Sequence, residues 1–182
     1  MRKSALFLDR DGIINIDHGY VHKQSEVEFI DGIFSLCKVA KAKGYKIFII
    51  TNQAGIGRGY FSEVDFFILM DWMREKFNQL GAKIDDIYFC PFHPTGGIGR
   101  YKVDSECRKP RPGMILQASK EYDIDLSNSV LVGDSLTDIQ AGIAAGVGCN
   151  LLYAPTNRNS ILLSKTGANA LVDKLITVVD FL

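Results

Sequence analysis

The sequence predicts an α/β fold: a Rossmann-like, mainly parallel sheet with helices on both faces, formed as one domain over residues 1–182. Three observations lead there. Short apolar runs alternate along the chain with amphipathic segments of helical period. Polar and acidic residues come directly after those runs, at the strand ends where open parallel sheets gather their chemistry. A length of 182 residues suits one core of ordinary size, with no repeat, low-complexity tract or linker to divide it.

In order, the first strand is Ser4–Leu8, closed by Asp9-Arg10-Asp11-Gly12. A polar loop, Asn15–Ile30, contains Asp17, His18, Gly19, Tyr20 and Val21. Ile33, Phe34, Leu36, Cys37 and Ala40 recur at helical spacing, and Gly44 stops that helix. Tyr45–Ile50 is a buried strand ending at Thr51-Asn52, and the glycine-rich Gln53–Gly59 reads as a loop. Ser62 caps the next helix with Asp65 in its first turn, and Phe66, Met70, Met73, Phe77 and Leu80 form its apolar stripe. Ile84–Phe89 is a third strand, and Pro91–Lys109 is a long loop of the kind that carries function. Pro110-Arg111-Pro112-Gly113 opens a helix from Met114 to Tyr122. Ser129–Val132 is a strand ending at Gly133-Asp134, and Leu136–Ala145 is a helix stopped by Gly146. Gly148–Tyr153 and Ala170–Val172 are the last strands, before a terminal amphipathic helix.

Composition excludes several classes. The chain is 47% hydrophobic and 23% charged with zero formal net charge, so neither nucleic acid nor a membrane surface is expected as a partner. No apolar run approaches the roughly 20 residues that span a bilayer. Met1-Arg2-Lys3 leads straight into a short strand rather than a signal peptide, which makes the cytoplasm the expected location. Four widely spaced cysteines read as thiols or ligands rather than disulfides. No surface stripe is left unexplained, so a monomer is expected.

The strand ends point to chemistry. In an extended segment Asp9 and Asp11 project to the same side. Two like charges so placed call for a cation between them, here Mg²⁺. Thr51 and Asn52, the Arg108-Lys109 loop, and Asp134 with Asp138 stand at other ends of the same sheet edge. These residue types suit phosphoryl transfer. Asp9 is the candidate nucleophile, and Mg²⁺ would be held by Asp9, Asp134 and the main-chain carbonyl of Asp11. The Asp11 side chain could protonate the leaving oxygen and later activate water. Thr51, nearby backbone N–H groups and Lys109 would hold the phosphoryl oxygens, and Arg108 could grip a second anionic group.

The series Asp9-Arg10-Asp11-Gly12, Thr51-Asn52, Lys109 and Gly133-Asp134 with Asp138 resembles the haloacid dehalogenase (HAD) superfamily of aspartate-nucleophile phosphatases. Asp17-His18-Gly19-Tyr20-Val21, Phe29-Ile30-Asp31-Gly32, Thr51-Asn52-Gln53-Ala54-Gly55-Ile56, Arg108-Lys109-Pro110 and Pro112-Gly113-Met114 resemble one branch of it. That branch holds D-glycero-D-manno-heptose 1,7-bisphosphate phosphatases and histidinol-phosphate phosphatases. The resemblance implies no separate cap domain and Mg²⁺-dependent hydrolysis through an aspartyl-phosphate. The implied reaction takes the heptose bisphosphate to its 1-phosphate, within surface-polysaccharide synthesis. Histidinol phosphate is the alternative substrate. It also implies that Asp17, His18, Gly19, Tyr20, Asn52, Gln53, Ala54 and Arg108 hold the part of the substrate that is not hydrolysed.

Two departures stand out. Ile13 replaces a customary Thr. A structural zinc site common in the branch is degenerate: Cys90 and Cys107 are present, but Phe92 and Ser105 stand where His and Cys belong. With His93 as a substitute there are three candidates where a tetrahedral site wants four, so zinc is not expected. A reading from another class is a receiver-like signalling module, phosphorylated on aspartate without turnover. Against it, the middle strand here ends in Thr51-Asn52, not in an acid.

Overall fold

A computed structural model of the chain describes residues 2–155 and 165–182. At its centre is β1 (Ala5–Leu8), four apolar residues with no exposed surface. It pairs in parallel with β2 (Lys46–Asn52) on one side; β3 (Asp86–Cys90) extends the sheet beyond β2. On the other side it pairs with β4 (Val130–Gly133), then come β5 (Cys149–Tyr153) and β6 (Ala170–Val172), all parallel. The strand order is β3-β2-β1-β4-β5-β6. The chain thus runs outward through β2 and β3, then returns to the opposite flank of β1. Such a reversal opens a crevice at the carboxyl ends of the strands it separates. Asp9 comes after β1 and Asp134 after β4, so both stand at that crevice.

Strand side chains alternate between two cores. Leu6, Leu8, Ile47, Ile49, Val130 and Val132 share one with α1 (Ile33–Ala42), α2 (Glu63–Gln79) and a carboxyl-terminal 3-10 helix, Leu175–Phe181. Ala5, Phe7, Phe48, Ile50 and Leu131 share the other with α3 (Gly113–Tyr122) and α4 (Leu136–Ala145). The predicted helices on both faces are present. α2 starts at a capping box: the Asp65 N–H donates to Ser62 Oγ at 3.1 Å, and the Ser62 N–H donates to Asp65 Oδ2 at 2.8 Å. Its buried stripe is Phe66, Leu69, Met70, Met73 and Phe77, each burial stabilising by roughly 1.5–3 kcal/mol.

The structure corrects three local expectations. Leu80 lies just past the end of α2 and is exposed, while Leu69 takes the vacant place in the stripe. Residues Ala54–Gly57, expected as loop, form one helical turn. The glycines hid it, and Gly55 is required there because a Cβ would lie 2.4 Å from the Phe61 ring. The terminal helix is 3-10, not α; Thr177, Val178 and Val179 are β-branched, and Thr177 Oγ1 donates back to the Lys174 carbonyl at 2.7 Å. Among the described residues no helix is long and apolar enough to cross a membrane.

Candidate active site

The end of β1 turns sharply. The Asp9 N–H still bonds the Val132 carbonyl of β4, and Asp9 Oδ1 accepts from the Arg10 N–H at 2.7 Å. Gly12 has φ +84°, and a Cβ on it would lie 2.0 Å from Asp134 Oδ2. Glycine is therefore what lets the loops after β1 and β4 touch. Gly133 does the same for Asp138, whose Cβ would lie 2.2 Å from a Cβ at position 133.

Lys109 is brought in from the long loop by Asn52 at the end of β2. The Lys109 N–H donates to Asn52 Oδ1 at 3.1 Å, and Asn52 Nδ2 donates to the Lys109 carbonyl at 3.2 Å. The Lys109 side chain is buried, and its ammonium meets the Ile50 carbonyl at 3.0 Å, Asp9 Oδ1 at 2.9 Å and Asp138 Oδ1 at 2.5 Å. Asp138 also caps α4, where its Oδ2 accepts from the N–H and hydroxyl of Ser135 at 3.1 and 2.6 Å.

Asp9, Asp134 and Asp138 each bring a carboxylate oxygen to within 4.8 Å of the other two. Three carboxylates face one ammonium, which leaves an excess of negative charge. Burial, then the charge of Asp138, pushes Asp9 up to about 8, although Lys109 opposes this. Burial and Asp138 push Asp134 up to about 6. Burial alone would lower Lys109, but Asp138 and Asp9 outweigh it and hold the ammonium above its usual range. An all-oxygen donor set with uncompensated negative charge fits a hard divalent cation such as Mg²⁺.

Asp11, expected on the ion through its main-chain carbonyl, keeps its carboxylate outside this trio. Its Oδ1 accepts from Arg10 Nε at 3.0 Å, Arg10 Nη2 at 2.7 Å and Asn15 Nδ2 at 3.0 Å. Its Oδ2 accepts from Arg10 Nη2 at 2.6 Å and Gln53 Nε2 at 3.3 Å. Gln53 also donates to Thr51 Oγ1 at 2.8 Å, which leaves the Thr51 hydroxyl proton free to donate.

A cavity of about 490 Å³ opens over this cluster. Asp9, Asp11, Asp17, Gly19, Tyr20, Thr51, Asn52, Gln53, Ala54, Arg108, Lys109 and Asp134 all face it. His18 does not: its side chain points to Glu28 Oε2 at 3.6 Å on the outer side of the loop. Tyr20 holds a left-handed backbone, φ 57°, and sets its ring edge-on to Tyr60. Sequence reasoning passed over Gly55, Ser135 and Thr137 on the cavity wall, and Arg10 and Asn15 behind Asp11. The N-capping signature Ser135–Asp138 was the one available signal among them.

Of the zinc candidates, His93 Nδ1 bonds within its own loop, while Cys90 and Cys107 bond to each other. His93 Nδ1 accepts from the Gly96 N–H at 2.8 Å, and its Nε2 lies 3.4 Å from Arg58 Nη2. Cys107 contacts Ser105 Oγ at 3.1 Å. A hydrogen bond from Cys90, above all, holds the Cys107 thiol down at about 6, while Cys90 is pushed up.

A HAD-hydrolase-like family model matches residues 106–175. A D-glycero-alpha-D-manno-heptose-1,7-bisphosphate 7-phosphatase of Burkholderia mallei is 54% identical over 182 residues, covering 100% of this chain and 95% of the relative. The chain belongs to the HAD phosphatases. This HAD phosphatase is also 49% identical over 152 residues to a D-glycero-beta-D-manno-heptose-1,7-bisphosphate 7-phosphatase of Vibrio cholerae, covering 84% of the chain and 82% of that protein. The crystal structure of D,D-heptose 1,7-bisphosphate phosphatase from B. bronchiseptica, complexed with magnesium and phosphate, superposes with a TM-score of 0.82 at 29% identity. That match covers 97% of this chain and 96% of the other. As a HAD phosphatase the chain is a phosphoric monoester hydrolase.

Proposed function

We propose that this phosphatase removes the 7-phosphate of a D-glycero-D-manno-heptose 1,7-bisphosphate, with Asp9 as nucleophile. The observation that carries the proposal is the meeting of Asp9, Lys109, Asp138 and Asp134 at the reversal point of the sheet. The relatives supply the sugar. Asp9 attacks phosphorus, the bond to the sugar oxygen breaks, and protonated Asp11 gives that oxygen its proton. Asp11, now a carboxylate, takes a proton from water. The water oxygen attacks phosphorus, the bond to Asp9 breaks, and inorganic phosphate leaves. Thr51 donates to a phosphoryl oxygen. Lys109 acts as a fixed positive charge, since its three protons are already placed. Asp9 and Asp134, with Asp138 in reach, would hold Mg²⁺, which would supply positive charge against the repulsion between a carboxylate and a phosphate dianion.

The distal phosphate is assigned to Arg108, with the Asp17–Tyr20 loop against the sugar. The test is turnover of both anomers of the heptose bisphosphate with Mg²⁺. Asp9→Asn should abolish phosphate release while the melting curve stays cooperative, and retained turnover would exclude Asp9 as nucleophile. Arg108→Ala should raise KM about tenfold or more for the bisphosphate and little for a monophosphate such as histidinol phosphate. Equal effects on both would remove the distal-phosphate role.

A further inference from the structure

Arg10 lies between the two carboxylates of the first motif, and its guanidinium has no exposed surface. A fully buried arginine is uncommon unless paired, and a buried ion pair is weak support for stability. The pair it makes is specific. Nε donates to Asp11 Oδ1 at 3.0 Å. Nη2 lies 2.7 Å from Oδ1, 2.6 Å from Oδ2 and 2.8 Å from the Val21 carbonyl. Nη2 has two protons for those three acceptors, so with one on Val21 the other is shared between the carboxylate oxygens. Asn15 adds a further donor to Oδ1 at 3.0 Å. Oδ1 is thus fully occupied. Oδ2 has half of one proton from Arg10 and a long contact of 3.3 Å from Gln53, whose amide is better placed on Thr51 at 2.8 Å.

We infer that Arg10 is the positioning residue of the general acid–base: its guanidinium grips both oxygens of the Asp11 carboxylate, and with Asn15 on Oδ1 it fixes that side chain at the cavity wall. The same guanidinium, through Val21, ties Asp11 to the end of the Asp17–Tyr20 loop on the cavity wall. The inference rests on the proposed role of Asp11 and goes beyond it by naming what holds that side chain.

A double-mutant cycle tests it, with the heptose bisphosphate and p-nitrophenyl phosphate as substrates. A nitrophenolate leaves without a proton, whereas a sugar alkoxide needs one. Asp11→Asn alone reads the underlying mechanism. It should lower kcat on the bisphosphate by about 10²–10⁴-fold and retain a first-turnover burst of nitrophenolate. If it leaves bisphosphate turnover intact, the acid–base assignment falls, and this inference with it. Given that loss, Arg10→Met should lower kcat on the bisphosphate by about 10²-fold, keep the nitrophenolate burst, and add nothing to Asp11→Asn in the double variant. Losses that multiply, or a burst lost together with turnover, would make Arg10 a general support of the fold and overturn the inference. Arg10→Lys keeps the charge without the planar fork. It should melt within a few degrees of wild type yet recover little turnover; wild-type turnover in this variant would also overturn it.

Discussion

Lys109→Met isolates the electrostatic balance of the site. The ammonium meets Asp9 and Asp138 at 2.9 and 2.5 Å, with its side chain 2% exposed and that of Asp138 1% exposed. Methionine fills a similar volume but leaves two neighbouring carboxylates without their cation. Removing one partner of a buried pair costs about 3–5 kcal/mol, a large share of a domain's net stability. For a chain of this size that is about 10 °C in Tm. The loss should depend on pH with a definite sign. The folded-state value of Asp9 is raised to about 8 from 3.8, so its stabilising protonation is complete at low pH and is lost as pH rises toward 8. Without Lys109 that value rises further, and the penalty should shrink at pH 5, where Asp9 carries a proton. Urea unfolding of both proteins at pH 5 and pH 8, in chelator, reads the difference. A loss under about 1 kcal/mol at pH 8, or an equal loss at both pH values, would refute the reasoning.

Divalent-ion linkage arises from the same trio. With Asp9 raised to about 8 and Asp134 to about 6, the ion-free protein should lose stability as pH climbs between those groups' unfolded values and pH 8. Millimolar Mg²⁺ should therefore raise Tm more at pH 8 than at pH 5, by differential scanning fluorimetry; a pH-independent shift would count against the cluster as the ion site. Gly12→Ala should cost about 1–2 kcal/mol for the left-handed backbone. It should also largely abolish the Mg²⁺-induced shift, because the new Cβ falls 2.0 Å from Asp134 Oδ2. A full shift in a folded Gly12→Ala protein would contradict that placement.

Much of this architecture was legible from apolar runs and the polar residues that close them. Ala5–Leu8 reads as a buried strand, and the acids that close it could be placed at the sheet edge because open parallel sheets gather polar residues at strand ends. Period two misled beyond that, since the chain turns after Leu8 and the Asp11 carboxylate pairs with Arg10 rather than sharing an ion site with Asp9. What stayed hidden depended on contacts across the fold. Arg10 reads as a spacer between two acids, and nothing local says that its side chain turns inward to Asp11 and Val21. Asn52 reads as a substrate ligand, yet both ends of its amide are engaged with the backbone of Lys109. His18 shares a motif with its neighbours but faces Glu28, because the Asp17 side chain accepts the Gly19 N–H and turns the chain between them. The helical turn at Ala54–Gly57 has no periodic signal because its glycines bury backbone, not side chains.

The reversal of strand order has a consequence for how the enzyme comes to exist. Asp9 is synthesised well before Asp134 and Asp138, which follow only once β4 itself has been made. Until β4 inserts beside β1, Asp9 has Lys109 within the chain already made but lacks Asp134, Asp138 and that wall of the cavity. On the proposed mechanism a chain that stops short of β4 should release no phosphate, and turnover should appear in step with the closing of the sheet.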